Sequence, residues 1–150
     1  MYTTLLFIHS WLRWIILILV VVAIAKSIIG LTSGKDYQKS DNGIAAAFVG
    51  SMHLQLLVGL ILYFWLSPIT SNAFSGYGSP MKDPVLRYWA VEHIVVMVIA
   101  VILAQVGRSI SRKSEDALVK FRFQLIFFGI SFLLMLTMIP WSESARLFRF

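Results

Sequence analysis

A chain of 150 residues that is 59% hydrophobic and only 13% charged, with a mean hydropathy of +0.82, falls far short of the roughly 25% charge usual in a soluble domain. The lack of cysteine excludes disulfides, thiolate metal sites and iron–sulfur clusters. The net charge of +6 is distributed as a membrane-topology signal, so nucleic acid is not expected as a partner.

In chain order the apolar residues form four blocks. Leu5–Ala25 carries one charge, Arg13; Ile44–Leu66 carries none; Tyr88–Gly107 carries one, Glu92; and Phe123–Trp141 carries none. Each block is about 20 residues, enough to span a hydrocarbon core of roughly 30 Å at 1.5 Å per residue. Backbone groups in lipid must be paired within the segment, so the blocks are expected to be helices. The first reads as a span rather than a secretory signal, because it lacks a positive start and a small-residue cleavage site. The expected fold is all-α: a single-domain integral membrane bundle over 1–150, running up-down-up-down, with helices near 3–30, 44–66, 85–108 and 121–141. Four spans leave no room for a soluble catalytic domain.

The connections carry the orientation. Thr32-Ser33-Gly34-Lys35-Asp36 is a polar turn. The loop from Ser67-Pro68 to Asp83-Pro84 holds Gly76, Gly78 and Pro80, and Asp83-Pro84 reads as an N-cap followed by proline at the first helical position. Ser109–Arg122 is charged, and Pro140-Trp141 closes the last block. Lys26, Lys35, Lys39, Arg108, Arg112, Lys113, Lys120 and Arg122 flank the first and third connections, against Lys82, Arg87, Arg146 and Arg149 on the other side. That bias assigns the first and third connections to the cytoplasm and both termini to the outside. Trp11, Trp14, Trp65, Trp89 and Trp141 gather towards the same outer face, as interfacial aromatics do.

Ionisable groups within lipid are costly, which makes His9, Arg13, His53, Glu92 and His93 the candidates for chemistry. His9 and His93 both lie roughly 9–14 Å from the outer starts of their helices. His53 enters from the opposite side and sits near or below the midplane. The first and third helices of such a bundle are diagonal, so imidazoles at matched depth on them suit the two axial positions of a heme. Met97, Ala100, Ala104 and Gly107 fall within about 40° of His93 on a helical wheel, a stripe that leaves room for a flat macrocycle or for close helix contact. Arg13, one turn after His9, has two expected partners: a heme propionate or Glu92. Arg87, Arg146 and Arg149 are further propionate candidates. The cofactor-binding set is therefore His9, His53, His93, Arg13 and Met97, with His9 and His93 as iron ligands and His53 as the alternative. For Met97 and Met52, core packing competes with thioether ligation. No glycine-rich phosphate loop, nucleophile elbow or paired carboxylates occur, so hydrolytic chemistry is not expected.

Several segments, taken together, resemble a family. His9-Ser10-Trp11-Leu12-Arg13-Trp14, His53-Leu54-Gln55-Leu56-Leu57-Val58-Gly59-Leu60 with Tyr63-Phe64, Met81-Lys82-Asp83 through Leu86-Arg87, Val91-Glu92-His93, Gly107-Arg108 and Ile139-Pro140-Trp141 look like the small bacterial four-helix membrane proteins labelled cytochrome b or cytochrome-b-like. The resemblance implies heme b and electron transfer in a bacterial inner membrane, with quinol or a larger respiratory assembly as redox partner. No residue of the sequence singles out a quinone. Two other functions fit the same composition: a non-catalytic accessory subunit packed against other membrane protein subunits, and a transition-metal site built on the histidines directly. The loop 69–82, with Phe74 and Tyr77, is where another subunit would dock.

Overall fold

Each helix of the computed structural model, which describes residues 1–75 and 79–148, starts and stops where the side chains dictate. Gly76, Tyr77, Gly78 and Arg149 lie outside the described residues. Helix α1 (Tyr2–Ser33) ends at Gly34, which adopts the left-handed conformation (φ 61°, ψ 25°) that terminates helices without a Cβ penalty. Helix α2 (Lys39–Ile61) opens with the Asp41 carboxylate accepting from the Gln38 amide at 2.9 Å and continues into a π-helical turn, Leu62–Leu66. Ser67 caps the short α3 (Pro68–Phe74). The Asp83 carboxylate accepts from the amides of Val85 (2.8 Å) and Leu86 (3.2 Å) to start α4 (Pro84–Arg87), with Pro84 at the first helical position. A second π-helical turn, Tyr88–Glu92, leads into α5 (His93–Lys113). Asp116 caps α6 (Ala117–Thr137), and a last turn, α7, spans Ser144–Leu147.

Helices α5 and α6 extend further past their connection than the apolar blocks alone indicate, to Lys113 and from Ala117. Arg112 and Lys113 sit favourably at the negative end of the α5 dipole, and Asp116 satisfies the first free amide of α6. At its other end α6 stops at Thr137, three residues before Pro140, whose ring disfavours helical geometry in the residue before it.

Four continuous helical segments, Tyr2–Ser33, Lys39–Leu66, Pro84–Lys113 and Ala117–Thr137, are long and apolar enough to cross a bilayer, which makes this a multi-pass, all-α membrane protein. Packing runs α1 on α2, α2 on α5, α5 on α6 and α6 on α1. The bundle is therefore up-down-up-down, with α1 diagonal to α5. Ile16, Val20, Phe48, Ala100, Ala104 and Phe128 are fully enclosed at the centre, where Phe48 and Phe128 meet edge to face across the other diagonal, 4.9 Å between ring centroids. Outward faces are as apolar as the core: Ile15, Ile18 and Val21 on α1, Leu54 and Leu57 on α2 and Ile102 on α5 are all exposed, as expected of helices solvated by lipid. Small residues set the close approaches, since the Phe127 side chain packs directly over Gly107 and the Ser131 hydroxyl donates to the Ala100 carbonyl at 2.9 Å.

Candidate functional site

Where the four helices diverge, at the end bearing both termini, they enclose a partly open cavity of about 200 Å³. Its wall includes His9 and Arg13 from α1, Met52, Gln55 and Gly59 from α2, Tyr63 from the first π turn, and Trp89, His93 and Met97 from the α5 segment. Met135, Met138 and Arg146 close it from the chain's C-terminal side. His9 and His93, on diagonal helices, thus face one space.

Each polar group has a traceable reason for its position. The His9 ring lies on Gly59, where an added Cβ would come within 3.2 Å of the imidazole Cε1, so α2 approaches α1 closely here because that residue has no side chain. One turn earlier, Gln55 donates its amide to the His9 carbonyl at 2.9 Å, leaving its own carbonyl oxygen buried without a hydrogen-bond partner. The His93 ring is tilted against Trp89 at 5.7 Å, beside the Met138 carbonyl that accepts from the Tyr88 hydroxyl at 3.0 Å. Nδ1 of His93 is buried and has no hydrogen-bond partner among the described residues. A neutral imidazole donates through one nitrogen and offers a lone pair at the other.

The remaining candidates separate. Met97 lines the cavity, but Ala100, Ala104 and Gly107 below it are buried in helix contact, so the small stripe under His93 is filled by α6. His53 points outward: it is exposed, its Nδ1 lies 2.9 Å from the carbonyl of Val49 one turn back, and it does not touch the cavity. Arg13 is not paired with Glu92. Its guanidinium donates to the carbonyls of Leu147 (2.8 Å) and Arg146 (3.2 Å), and Trp14 donates to the same Leu147 carbonyl at 3.0 Å. Glu92 instead binds Arg87 at 2.8 Å, five residues earlier. The π turn between them explains the change, because it brings residues i and i+5 onto one face where an α-helix would hold them far apart. Arg146 lies over the Trp89 ring, 4.5 Å from its centroid, and pairs with Glu143.

Both π turns border the cavity and are tied to each other. The Tyr63 hydroxyl donates to the Ala90 carbonyl at 2.7 Å, while Thr70 donates to the Tyr63 carbonyl at 2.7 Å. Such turns recur at functional sites because they re-aim side chains within an otherwise regular helix. Gln55 was the site residue least expected from the sequence. Its signal is there in retrospect: a lone amide inside a span with no charge.

Among the described residues no group of three or more His, Cys, Asp or Glu side chains gathers as a metal cage. The donor set is two imidazoles, one amide carbonyl and two guanidiniums on an apolar wall. No family model, curated protein or solved structure matches the chain.

Proposed function

We propose that the chain is a heme b-binding electron carrier of a bacterial inner membrane, with both termini on the periplasmic side, exchanging electrons with quinol or a respiratory complex. The observation that carries this reading is that His9 and His93, from diagonal helices, line one cavity, with Nδ1 of His93 buried and without a hydrogen-bond partner among the described residues. His9, packed on Gly59, would be the second iron ligand. Arg13 and Arg146 supply guanidiniums for the propionate carboxylates. Ile16, Leu17, Val101 and Met135 keep water from the inner wall. When bound, heme supplies one-electron redox chemistry at a potential set by its ligands and burial. The enclosed volume is smaller than a macrocycle, so heme would also need the open side of the cavity.

That volume also favours a second reading, a quinone headgroup. At about 200 Å³ the cavity suits a one- or two-ring headgroup, whose hydroxyls in the quinol form would donate to Nδ1 of His93 or to the Gln55 oxygen, neither of which has a hydrogen-bond partner among the described residues.

One spectrum separates the two. Purified protein, reduced minus oxidised, is expected to show a Soret peak and an α-band at near-stoichiometric heme. His9→Ala and His93→Ala each lose both bands, whereas His53→Ala retains them. A colourless protein that co-purifies with quinone overturns the heme reading in favour of the second. Loss of pigment in His53→Ala with retention in His9→Ala overturns the ligand pair.

A further inference from the structure

At the opposite end of the bundle a second pocket, of about 310 Å³, is lined by Tyr37, Gln38, Lys39, Asn42, Ser111, Arg112 and Lys120. Three of these carry positive charge and none carries negative charge. The nearest carboxylate on α2, Asp41, is turned inward to Lys26 at 2.8 Å and also accepts from the Gln38 amide, and Asp116 is engaged in capping α6. Lys39, Arg112 and Lys120 are in none of the ion pairs found among the described residues. Lys120 lies over the Tyr37 ring, 5.1 Å from its centroid.

The floor of the pocket is organised for donation. Gln124, almost fully buried, gives one amide hydrogen to the Tyr37 hydroxyl (2.6 Å) and one to the Ser111 hydroxyl (3.0 Å). Both hydroxyl oxygens thus accept from Gln124, and at least one of the two hydroxyl hydrogens has no acceptor among the described residues. Burial raises the Tyr37 phenol above its ordinary value, so it stays protonated and remains a donor at neutral pH. On the rim, Arg108 donates to both the backbone and side-chain oxygens of Asn42 (3.3 and 3.4 Å), which turns the Asn42 amide NH₂ away as a further donor. Cations surround hydroxyl and amide donors, with no carboxylate in the lining, at the basic end of a membrane bundle.

We infer that this pocket binds a phosphate group: the three cations supply charge, and the Tyr37 and Ser111 hydroxyls, held in place by Gln124, supply a directed donor. The headgroup of an anionic phospholipid is the source that the position between α2, α5 and α6 favours, since basic pockets between membrane helices take such headgroups. A soluble phosphate offers the same chemistry.

The test uses the full chain in phosphatidylcholine nanodiscs doped with phosphatidylglycerol, read by native mass spectrometry for retained lipid, with inorganic phosphate titrated separately by calorimetry in neutral detergent. Phosphatidylglycerol is expected to be retained over phosphatidylcholine. R112Q/K120Q should weaken retention about 25-fold, at about fivefold per cation near the surface. Y37F, which keeps every charge, should weaken it about tenfold through the lost charge-assisted hydrogen bond. K113Q/R122Q removes two charges at the same end but outside the pocket, and should change retention little. Saturable binding of inorganic phosphate that is lost in Y37F, with no lipid preference, supports the phosphate site and assigns it to a soluble anion. Equal weakening by the two double variants, with Y37F unchanged, overturns the site in favour of diffuse attraction, as does absence of binding by both probes. If R112Q/K120Q does not fold, by far-UV circular dichroism, Y37F and K113Q/R122Q still decide.

Discussion

A single missing side chain decides how close α2 comes to His9. An alanine at position 59 would place its Cβ 3.2 Å from the imidazole Cε1, a contact relieved only if the ring yields by a few tenths of an ångström. Gly59→Ala is therefore expected to shift the His9 ring, weakening the ligand of the cavity severalfold while leaving thermal stability nearly unchanged. Gly107→Ala differs, because its Cβ would run into the Cβ of Phe127, which no rotamer change can withdraw. That variant should lose about 1–3 kcal/mol through overpacking, read as a lower midpoint in detergent melts. Gly50→Ala, with open space around its Cβ, is the control and should be neutral or gain up to about 1 kcal/mol from helix propensity. His9 and His93 were legible at this scale because ionisable groups stand out against an apolar background, but the same signal also picked out His53, which faces away from the cavity. The partner of Arg13 was not, since its acceptors are carbonyls of a terminal turn more than a hundred residues away, and backbone acceptors leave no trace in side-chain identity.

At the scale of the element, the four helices could be read from block length and from the need to pair every amide in lipid. The two π turns could not. A π turn shifts the helical phase by one residue without changing composition, so a wheel drawn at 100° per residue places Glu92 on the wrong face and misses its pairing with Arg87. The turns are held together by the Tyr63 hydroxyl on the Ala90 carbonyl, 2.7 Å. Tyr63→Phe should cost about 0.5–1.5 kcal/mol and speed amide exchange across Tyr88–Glu92 without altering that of α6. Uniform exchange across the whole bundle would instead mean that the hydroxyl supports the fold rather than the turn. The α1–α2 junction makes a sharper case. Lys26 meets Asp41 at 2.8 Å, and the Asp41 side chain is only 2% exposed. Lys26→Met strands a buried carboxylate and should destabilise by about 3–5 kcal/mol, while Lys26→Met with Asp41→Asn should recover most of that loss, because removing both charges also removes the desolvation penalty.

For the molecule as a whole, the helices fix which segments share an end, and the charge bias predicts which end faces the cytoplasm. Both termini and the 67–83 connection lie at the cavity end, while the connections after α1 and α5 lie at the other. Of the thirteen Lys and Arg residues, eight flank those two connections and four the cavity end, with Arg13 inside α1. Positively charged loops resist translocation, so the cavity should open towards the outside and the phosphate pocket towards the cytoplasm. The chain has no cysteine, which allows single-cysteine variants to report without background. In intact cells, Ser79→Cys and Ser142→Cys should react with a membrane-impermeant maleimide, and Glu115→Cys and Ser40→Cys should react only after permeabilisation. The opposite pattern would put the histidine cavity on the cytoplasmic side, where an electron carrier would exchange with soluble reductants, and would move the basic pocket away from the cytoplasmic leaflet, where anionic lipid concentrates.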